Sequence, residues 1–475
     1  MKSEKFQRAI SSIDDDLIEN ADTAVLKRSR SSVRLSVVIA AACAVLICAA
    51  AITVPMFRNG NLYTPTDDAT EPDIETYKTF EDITDFEITL KTIKLQSQGD
   101  SFAFDVFDQR FLDYISENVK GNYIVSPLSL RYSLGMLISG AAGDTKTELL
   151  KAVGYDTLED YEKVCLIYNG LQAQYYEGLK WEKGYAAENP YITTPNRSLS
   201  IANSLWKNRT FDKNFNDDFV THIGEVYSAE TYDFSPDDLA DRVNDWARKR
   251  TNGLIKDLIS KEDNVGAAPI VMINTLLYEN SWKTEYFKAE DVRKGGFYTE
   301  AGNVVKKDFL HSLDHFKYYE DDETQLLIIP MYSGSNINML FVLGSNENLA
   351  EKVAKANDSE VEVFIPKFSI ETTLGDKMLV DFLKEYGANK AFDMSSADFS
   401  AMIDVDGMYV EDIIQKSCIE VREDGVSAAA ASYHYYYGGK PDEGIVFRAD
   451  RPFDFFIYTE VNKVPEIMFA GHVAE

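Results

Sequence analysis

Between Asn122 and Tyr155 the chain reads NYIVSPLSLRYSLGMLISGAAGDTKTELLKAVGY. From Ser129 to Gly143 the apolar residues of this stretch recur at helical spacing, which predicts an α-helix. The same spacing occurs in DLADRVNDWARKRTNGLIKDLI, from Asp238 to Ile259, where we expect a helix that ends near Gly253 before a second short turn. This part of the chain is therefore predicted to be rich in helices.

Short β-rich runs bounded by Gly, Pro and Asn dominate the second half of the chain. They are APIVMINTLLYEN (268–280), QLLIIPMY (325–332), INMLFVLG (337–344), VEVFIPKFSIE (361–371) and RPFDFFIYTE (451–460). From about residue 98 to residue 475 the chain shows no repeat of fixed period. Helices early and strands late predict an α+β domain in which helices pack on large β-sheets.

The composition excludes several classes of protein. With 45% hydrophobic and 12% aromatic residues, the 475-residue chain is globular and long enough for one large or two medium domains. A formal net charge of −30, with no basic stripe to offset it, repels phosphate, so nucleic acid is not expected as a partner. Cys43 and Cys48 lie in an apolar run, and Cys165 and Cys418 are far apart, so we expect neither a disulfide framework nor a clustered metal site.

The sequence carries no common catalytic motif: there is no GxSxG, no HExxH, no P-loop and no GxGxxG after a strand. The five histidines, at positions 222, 311, 315, 434 and 472, have no obvious partners at ligand spacing. His311 and His315 have the i, i+4 spacing of a helical metal site, but their stretch DFLHSLDHFKYYE (308–320) is aromatic and predicts a strand. We expect no catalytic residue, no metal and no cofactor. A hydrolase whose triad forms only in three dimensions is the enzyme alternative.

An apolar run without charges, LSVVIAAACAVLICAAAITVPMF, extends from Leu35 to Phe57. Its roughly 23 residues, at about 1.5 Å each, suffice to cross roughly 30 Å of hydrocarbon. Residues 35–57 are therefore predicted to form a single transmembrane helix that contacts the lipid bilayer. Lys27, Arg28, Arg30 and Arg34 precede the run, so the positive-inside rule keeps residues 1–34 in the cytoplasm as a basic tail.

The alternative to this anchor is a secretory signal peptide, or a lipoprotein signal ending at Cys43, and a cleaved signal would leave the protein secreted. The long region before the apolar run, with Asp14 to Asp16, favours the uncleaved anchor. Residues 58–97 are acidic and contain Pro65 and Pro72, which predicts an extended extracellular stalk. Residues 98–475 would then form the extracellular domain.

A bland segment stands beside a run of tyrosines in EDGVSAAAASYHYYYGG, from Glu423 to Gly439. Taken alone, four consecutive alanines are typical of a helix or a linker. The tyrosines Tyr433 and Tyr435 to Tyr437 alone would fit an exposed protein-binding patch.

Several segments together resemble the serpins, the serine protease inhibitor family. The opening stretch is similar to the family's helix B region, and INTLLYENSWKTEYF (273–287) is similar to the third strand of its sheet A and the segment after that strand. WARKRTNGLIKDLI (246–259) resembles the end of helix F, and SADFSAMI (396–403) a late turn. FRADRPFDFFIYTEVNKVPEIMFAGHV (447–473) resembles the C-terminal strands. The matches occur in the family's order over roughly 380 residues, and they imply one serpin domain, with large mixed and antiparallel sheets, an exposed reactive centre loop and a monomeric state.

The resemblance also implies roles for individual residues. Glu423, Gly425 and Val426 would begin the hinge of the reactive centre loop, followed by Ala428, Ala429, Ala430 and Ala431. Asn122, Ser126, Ser129, Asn274 and Trp282 would belong to the shutter and breach of the central sheet. Gln415 stands where many serpins have a shutter histidine. Because glutamine both donates and accepts hydrogen bonds, we expect altered opening of the sheet without loss of the fold.

In an inhibitory serpin the cleaved loop enters a sheet as a new strand, which is a known case of β-strand addition. From Val426 to Gly439 the chain has no proline and no formal charge apart from any on His434, as a buried central strand requires. If Val426 points into the core, so do Ala428, Ala430, Ser432, His434 and Tyr436. His434 and Tyr436 are bulky and polar at one end, and they are expected to slow insertion.

The family's spacing from Glu423 puts the scissile bond at Gly439–Lys440, and other registers give Gly438–Gly439 or Tyr437–Gly438. Glycine before the bond suits elastase-like or subtilisin-like serine proteases, and Tyr437 suits chymotrypsin-like ones. Cleavage after Lys440 is disfavoured because Pro441 comes next in the chain. Papain-like cysteine proteases are a further alternative. The main interpretation is a suicide inhibitor on a bacterial surface, and the runner-up is a non-inhibitory serpin that serves as a binding module.

Overall fold

The computed structural model describes residues 105–170, 198–211, 213–251, 257–260, 268–331, 337–426, 444–461 and 464–475, together with residues 253 and 255. The α-helices are α1 (Val106–Asn118), α2 (Pro127–Gly140), α3 (Gly143–Ala152), α4 (158–170), α5 (Asp217–Tyr227), α6 (Leu239–Arg250), α7 (Leu349–Lys355) and α8 (Met378–Glu385). Short 3-10 helices occur at Ala289–Asp291 and Lys390–Phe392.

The strands are β1 (Tyr123–Val125), β2 (Ser198–Asn208), β3 (Ala229–Phe234), β4 (Ile270–Ser281), β5 (Arg293–Tyr298), β6 (Val304–Glu320), β7 (Thr324–Pro330), β8 (Asn338–Gly344), β9 (Asn357–Pro366), β10 (Phe368–Leu374), β11 (Gln415–Arg422), β12 (Gly425–Val426), β13 (Ile445–Arg448), β14 (Phe453–Val461) and β15 (Val464–Val473). The predicted α+β class with helices on large sheets is confirmed.

Helix α2 forms where the sequence predicts a helix, and its start has a clear physical cause. The Ser126 side chain accepts a hydrogen bond from the backbone N–H of Ser129, and Pro127 occupies the first helical position, where a missing N–H costs nothing. All residues of the helix except Ser133 are buried. An α-helix apolar on all sides belongs inside a domain, and α2 accordingly runs through the core.

Two sheets carry the fold. The larger has the order β1-β15-β14-β8-β7-β6-β9-β13, with β5 also paired to β6, and it is antiparallel except where β13 runs parallel to β9. The smaller has the order β10-β11-β12-β4-β2-β3 and is antiparallel except where β2 runs parallel to β3. The main core lies around α2 and the large sheet. A second apolar cluster lies between α6 and strands β2 to β4.

Helix α6 ends at Arg250, three residues before the predicted end at Gly253, which has a φ of +80°. His311 and His315 lie on strand β6, as their aromatic surroundings predict. In the part of the chain that the structure describes, no helix is long and apolar enough to cross a bilayer. The predicted anchor, residues 35–57, lies outside the described residues, as do the predicted tail and stalk.

Candidate functional site

The segment Gly425–Val426 lies inside the smaller sheet as the short strand β12. On one side Val426 pairs with Val421 of β11, and on the other side it pairs with Asn280 of β4. The Val426 side chain is 2% exposed. Among the described residues no ladder joins β11 directly to β4, so β12 is the described link between these two strands. The predicted hinge therefore begins to enter the sheet at this point.

Gly425 has a conformation and an environment that exclude a side chain. Its φ is +138°, where L-residues are strained. A Cβ atom at this position would collide with the carbonyl oxygen of Asn280 and with Cα of Ser281 on the neighbouring strand. The close approach of β12 to β4 therefore depends on glycine at this position.

The turn before β12 is fixed by side chains from other elements. Lys367 Nζ lies 2.8 Å from Glu423 Oε1. Partial burial raises the pKa of the Glu423 carboxyl, but the hydrogen bonds from Lys367 and the backbone and the positive charges of Lys367 and Arg422 together lower it below its ordinary value. Trp282 Nε1 donates to the carbonyl oxygen of Arg422 at 3.1 Å. Trp282, Glu423 and Gly425, which the sequence assigned to different parts of the site, therefore lie together at the turn before β12.

A second group of predicted residues lies together where the smaller sheet contacts the start of α2. Gln415 Nε2 donates to the backbone carbonyl of Ser126 at 2.8 Å, and Gln415 Oε1 accepts from the Ser126 N–H at 3.2 Å. Ser126 Oγ donates to the carbonyl oxygen of Met468 at 2.7 Å. The Ser129 hydroxyl donates to Asn274 Oδ1. These four predicted residues, at positions 126, 129, 274 and 415, are all buried.

These contacts hold β11 and β4 to α2 separately. Among the described residues the Gln415 side chain of β11 bonds the Ser126 backbone, and the Asn274 side chain of β4 bonds Ser129 and Asn203. The two side chains therefore do not bond each other across the space between their strands. Neither set of bonds therefore ties β11 to β4 directly.

The structure differs from the sequence-based prediction at two positions. Asn122 is exposed and lies apart from this cluster, where its Oδ1 accepts from the backbone N–H groups of Ala474 and Glu475 at 2.6 and 3.0 Å. Asn203 of β2, which the sequence did not single out, belongs to the cluster. It accepts from Asn274 Nδ2 at 2.6 Å and donates to the carbonyl of Tyr227 at 2.6 Å. The signal was an asparagine between apolar residues in the β-rich run SIANSLW (200–206).

The remaining predicted site residues lie outside the described part of the chain. They are Ala428, Ala429, Ala430 and Ala431 of the hinge, His434 and Tyr436, and the candidate scissile positions Tyr437, Gly438, Gly439 and Lys440.

Each of the four described histidines lies against a carboxylate. The pairs are His222–Glu162 at 2.6 Å, His311–Glu362 at 3.1 Å, His315–Asp358 at 3.1 Å and His472–Asp454 at 2.6 Å. None of these imidazoles hydrogen-bonds a serine or cysteine, so the described residues contain no Ser–His or Cys–His pair of a hydrolase. Within the same residues no group of three or more His, Cys, Asp or Glu side chains could hold a metal ion.

The comparison with protein families agrees with this geometry. The family model "Serpin (serine protease inhibitor)" matches residues 97–475. The chain belongs to the serpin family. Serpins are in general protease inhibitors and not enzymes, and the α+β architecture described above is the serpin fold.

Curated serpins resemble this chain over most of their own length. A serpin-like protein of Thermococcus kodakarensis is 29% identical over 398 residues, which cover 78% of this chain and 84% of the relative. The leukocyte elastase inhibitor of Equus caballus is 28% identical over 405 residues, covering 80% and 98%.

Solved serpin structures share the fold. The thermophilic serpin tengpin in its native state superposes with a TM-score of 0.64 at 23% identity, covering 84% of this chain and 96% of its own. A thyroxine-binding globulin in complex with thyroxine superposes with a TM-score of 0.59 at 21% identity, covering 80% and 99%.

Proposed function

We propose that this serpin inhibits an endopeptidase as a suicide substrate whose cleaved loop enters the smaller sheet between β11 and β4. The observation that carries the proposal is the seating of Gly425 and Val426 between these two strands. The alanines at positions 428–431 come directly after, and they are small enough to continue the strand. The separate tethering of β11 and β4 to α2 also supports it.

The observed pairing fixes the register of any further insertion. If the strand continues from Val426, then Ala430 would lie between Leu276 of β4 and Ser417 of β11, both of which are buried. Ser432 would lie between Asn274 and Gln415, at the cluster around α2. This register places small residues at the most buried positions.

The same register predicts which residues of β4 His434 and Tyr436 would face. They would face Met272 and Ile270 of β4, which are only half-buried, and they would lie beyond Gln415, where β11 begins. The bulky side chains would thus reach the open lower end of the sheet, so they are less of an obstacle than the sequence alone suggests.

The chemistry of inhibition is divided between the two proteins. The protease nucleophile attacks the carbonyl carbon of the scissile residue, the peptide C–N bond breaks, and the new amino terminus leaves with the proton delivered by the protease. The residue before the bond then stays attached to the protease as an acyl group. The loop must insert, and so separate the two halves of the loop, before water hydrolyses the acyl bond that joins this residue to the protease.

The test is to mix the full chain, purified in a mild detergent, with subtilisin, elastase, chymotrypsin and papain. We expect an SDS-resistant complex with at least one serine protease. Mass spectrometry of the released C-terminal fragment should show a new amino terminus at Lys440, Gly439 or Gly438, which identifies the scissile bond. Complete cleavage by every protease without any complex would contradict the proposal and favour a non-inhibitory binding module.

We also propose that residues 35–57 anchor the inhibitor in the cell membrane with residues 58–475 outside the cell. The support is the length of the apolar run and the basic residues before it. In cells, alkaline carbonate should leave the full-length chain in the membrane pellet, and external protease should cut it without permeabilisation. Recovery of a shortened chain in the medium would favour the secreted alternative.

A further inference from the structure

The turn before strand β12 contains a dipeptide that can rearrange chemically. Glu423 and Asp424 form this two-residue turn, between the end of β11 at Arg422 and the start of β12 at Gly425. Asp424 is therefore followed by glycine, the residue whose backbone nitrogen is least shielded by a side chain. Aspartate side chains in turns already lie close to the backbone that follows them, so the Asp424 carboxyl is well placed to react with the next amide nitrogen.

The Asp424 carboxyl is held less firmly than that of the preceding residue. Glu423 Oε1 lies 2.8 Å from Lys367 Nζ, and this ion pair fixes its side chain. Asp424 Oδ1, in contrast, is buried and has no hydrogen-bond partner in the described part of the chain. Arg422 Nε lies 3.8 Å from this oxygen, which exceeds hydrogen-bond distance. No hydrogen bond of Oδ1 therefore opposes rotation of the carboxyl towards the backbone of Gly425.

The surroundings of Asp424 also favour the protonated form of its carboxyl. Burial raises the pKa of Asp424, as do the negative charges of Glu423 and Glu420, and the positive charge of Arg422 and a backbone hydrogen bond oppose this shift only in part. An amide nitrogen attacks a neutral carboxyl more readily than a carboxylate, because the carboxylate repels the nucleophile. The reactive form is therefore present at higher pH than for an ordinary aspartate.

We propose that Asp424 isomerises to isoaspartate and that this rearrangement limits the working lifetime of the inhibitor. The backbone nitrogen of Gly425 attacks Cγ of Asp424, and one carboxyl oxygen leaves as water with the amide proton and the carboxyl proton. Water then opens the resulting five-membered succinimide ring at either carbonyl. Opening at Cγ restores aspartate, whereas opening at the main-chain carbonyl leaves the peptide bond running through Cβ. The water lost is regained, so the mass of the chain is unchanged.

The close packing of β12 makes this small change consequential. Isoaspartate adds one carbon–carbon bond, about 1.5 Å, to the main chain at the turn. Strand β12 has no space for the shift, because even a Cβ atom on Gly425 would collide with the Asn280 carbonyl oxygen of β4. Val426 should therefore lose its pairing with Val421 and Asn280. The effect on inhibition rests on the proposed function: a hinge that no longer fits between β11 and β4 inserts more slowly, and the inhibitor becomes a substrate.

The test is to age the full chain in mild detergent at neutral pH, well below its melting temperature, in water labelled with heavy oxygen. Each passage through the succinimide adds one labelled oxygen to residue 424, which mass spectrometry of the peptide detects. A methyltransferase specific for isoaspartate identifies the rearranged peptide after digestion. The stoichiometry of inhibition, measured on the same samples with the protease trapped in the panel above, should roughly double when half of the chains carry isoaspartate.

Two variants separate this reaction from other effects of ageing. Asp424→Glu keeps the charge but would have to close a six-membered ring, which forms much more slowly, so its stoichiometry should stay at the value of its own fresh sample. Asp406→Glu is the matched control. Asp406 is exposed and precedes Gly407 in the one other Asp–Gly pair of the sequence. Because this variant leaves Asp424 intact, its inhibition should decline as fast as that of the wild type.

The outcomes separate this inference from the proposed function. Absence of labelled oxygen at residue 424 in the aged chain would overturn the isomerisation. Isoaspartate at residue 424 with an unchanged stoichiometry of inhibition would show that the hinge tolerates it, and would overturn the effect on lifetime. If the fresh chain traps no protease, the proposed function fails and the effect on lifetime with it, while the labelling still decides whether Asp424 isomerises.

Discussion

A single charge at position 426 should convert this protein from an inhibitor of the protease into a substrate. The Val426 side chain is buried between β11 and β4, so an arginine there would bring an unpaired charge into the core, at a free-energy cost of several kcal/mol. We expect Val426→Arg to slow loop insertion, so that hydrolysis of the acyl-enzyme becomes faster than insertion. Gel analysis with the trapped protease should show cleaved serpin in place of complex, and the stoichiometry of inhibition should rise several-fold.

His434→Arg is the matched control, because it introduces the same charge on the same face of the loop. If the loop continues in the register set by Val426, residue 434 would face the half-buried Met272 beyond the end of β11, where an arginine could reach solvent. Its stoichiometry should stay within about twofold of the wild type. Equal effects of the two substitutions would show that the inserted strand does not follow this register.

Glu466 on β15 is a carboxyl group enclosed by the core. It is 1% exposed, and its Oε2 has no hydrogen-bond partner in the described part of the chain. Burial, and next the negative Asp108 on α1, raise the pKa of Glu466 well above its ordinary value, and Arg131 on α2 opposes this shift only in part. Folding therefore takes up a proton at pH values between the unfolded and the folded pKa of this carboxyl.

The pH dependence of stability is a consequence of that proton. The contribution of Glu466 to the free energy of unfolding is greatest at acid pH. It is lost as the pH rises from the unfolded pKa of this carboxyl towards its folded pKa, by about 1.4 kcal/mol per pH unit for one proton. Glu466→Gln has the same shape and cannot ionise, so its melting temperature should exceed that of the wild type by a margin that grows between pH 5 and pH 8. Glu347→Gln, at an exposed position, is the control for the change of side chain. A constant margin for Glu466→Gln would mean that Glu466 is ionised in the folded protein.

At the scale of elements, helix α2 and its N-cap hold β11 and β4, the two strands beside the proposed insertion site. Gln415 joins β11 to Ser126, the N-cap residue of α2, through both hydrogen-bonding groups of the Ser126 backbone. Gln415→Ala would leave a buried N–H and a buried carbonyl without that partner. We expect a loss of about 2 kcal/mol or more in the free energy of unfolding, measured as a lower melting temperature.

Gln325→Ala serves as the control for the loss of an amide side chain. Gln325 on β7 is half-buried and donates to Tyr318 and Glu320 on the neighbouring strand, which solvent can replace. Its substitution should cost under about 0.5 kcal/mol. If both glutamine variants melt at the same temperature, the contact of Gln415 with α2 is not a support of β11.

The elements show how far sequence reasoning extends. Helix α2 and strand β4 could be predicted because local periodicity and a family resemblance coincide there, and strand β6 could be predicted from its aromatic run. The Gln415–Ser126 contact could not, since it joins residues almost 300 positions apart and depends on how α2 enters the core. The position of Asn122 beside Glu475 was missed for the same reason, because motif spacing does not show that the chain end returns to that point.

At the scale of the whole molecule, we expect the smaller sheet to accept one more strand between β11 and β4. In the described residues β4 pairs with β2 along one side, and on its other side it pairs only with the two residues of β12. An inserted loop in the Val426 register would pair with β4 as far as Ile270, which Tyr436 would face. We therefore expect the intact chain to be less stable than the chain with its loop inserted.

Cleavage alone should release this difference, because the cut loop is free to enter the sheet. New strand pairing and the burial of Ala428, Ala430 and Ser432 are together worth several kcal/mol, so the melting temperature should rise on the order of 10 °C after a protease cuts within residues 433–440. Differential scanning calorimetry of the intact and the cut full chain measures it. The cut Val426→Arg chain should gain little, because its first inserted residue blocks entry. Equal melting temperatures of intact and cut wild-type chain would mean that the loop does not insert, and the sheet would then serve a binding module and not a trap.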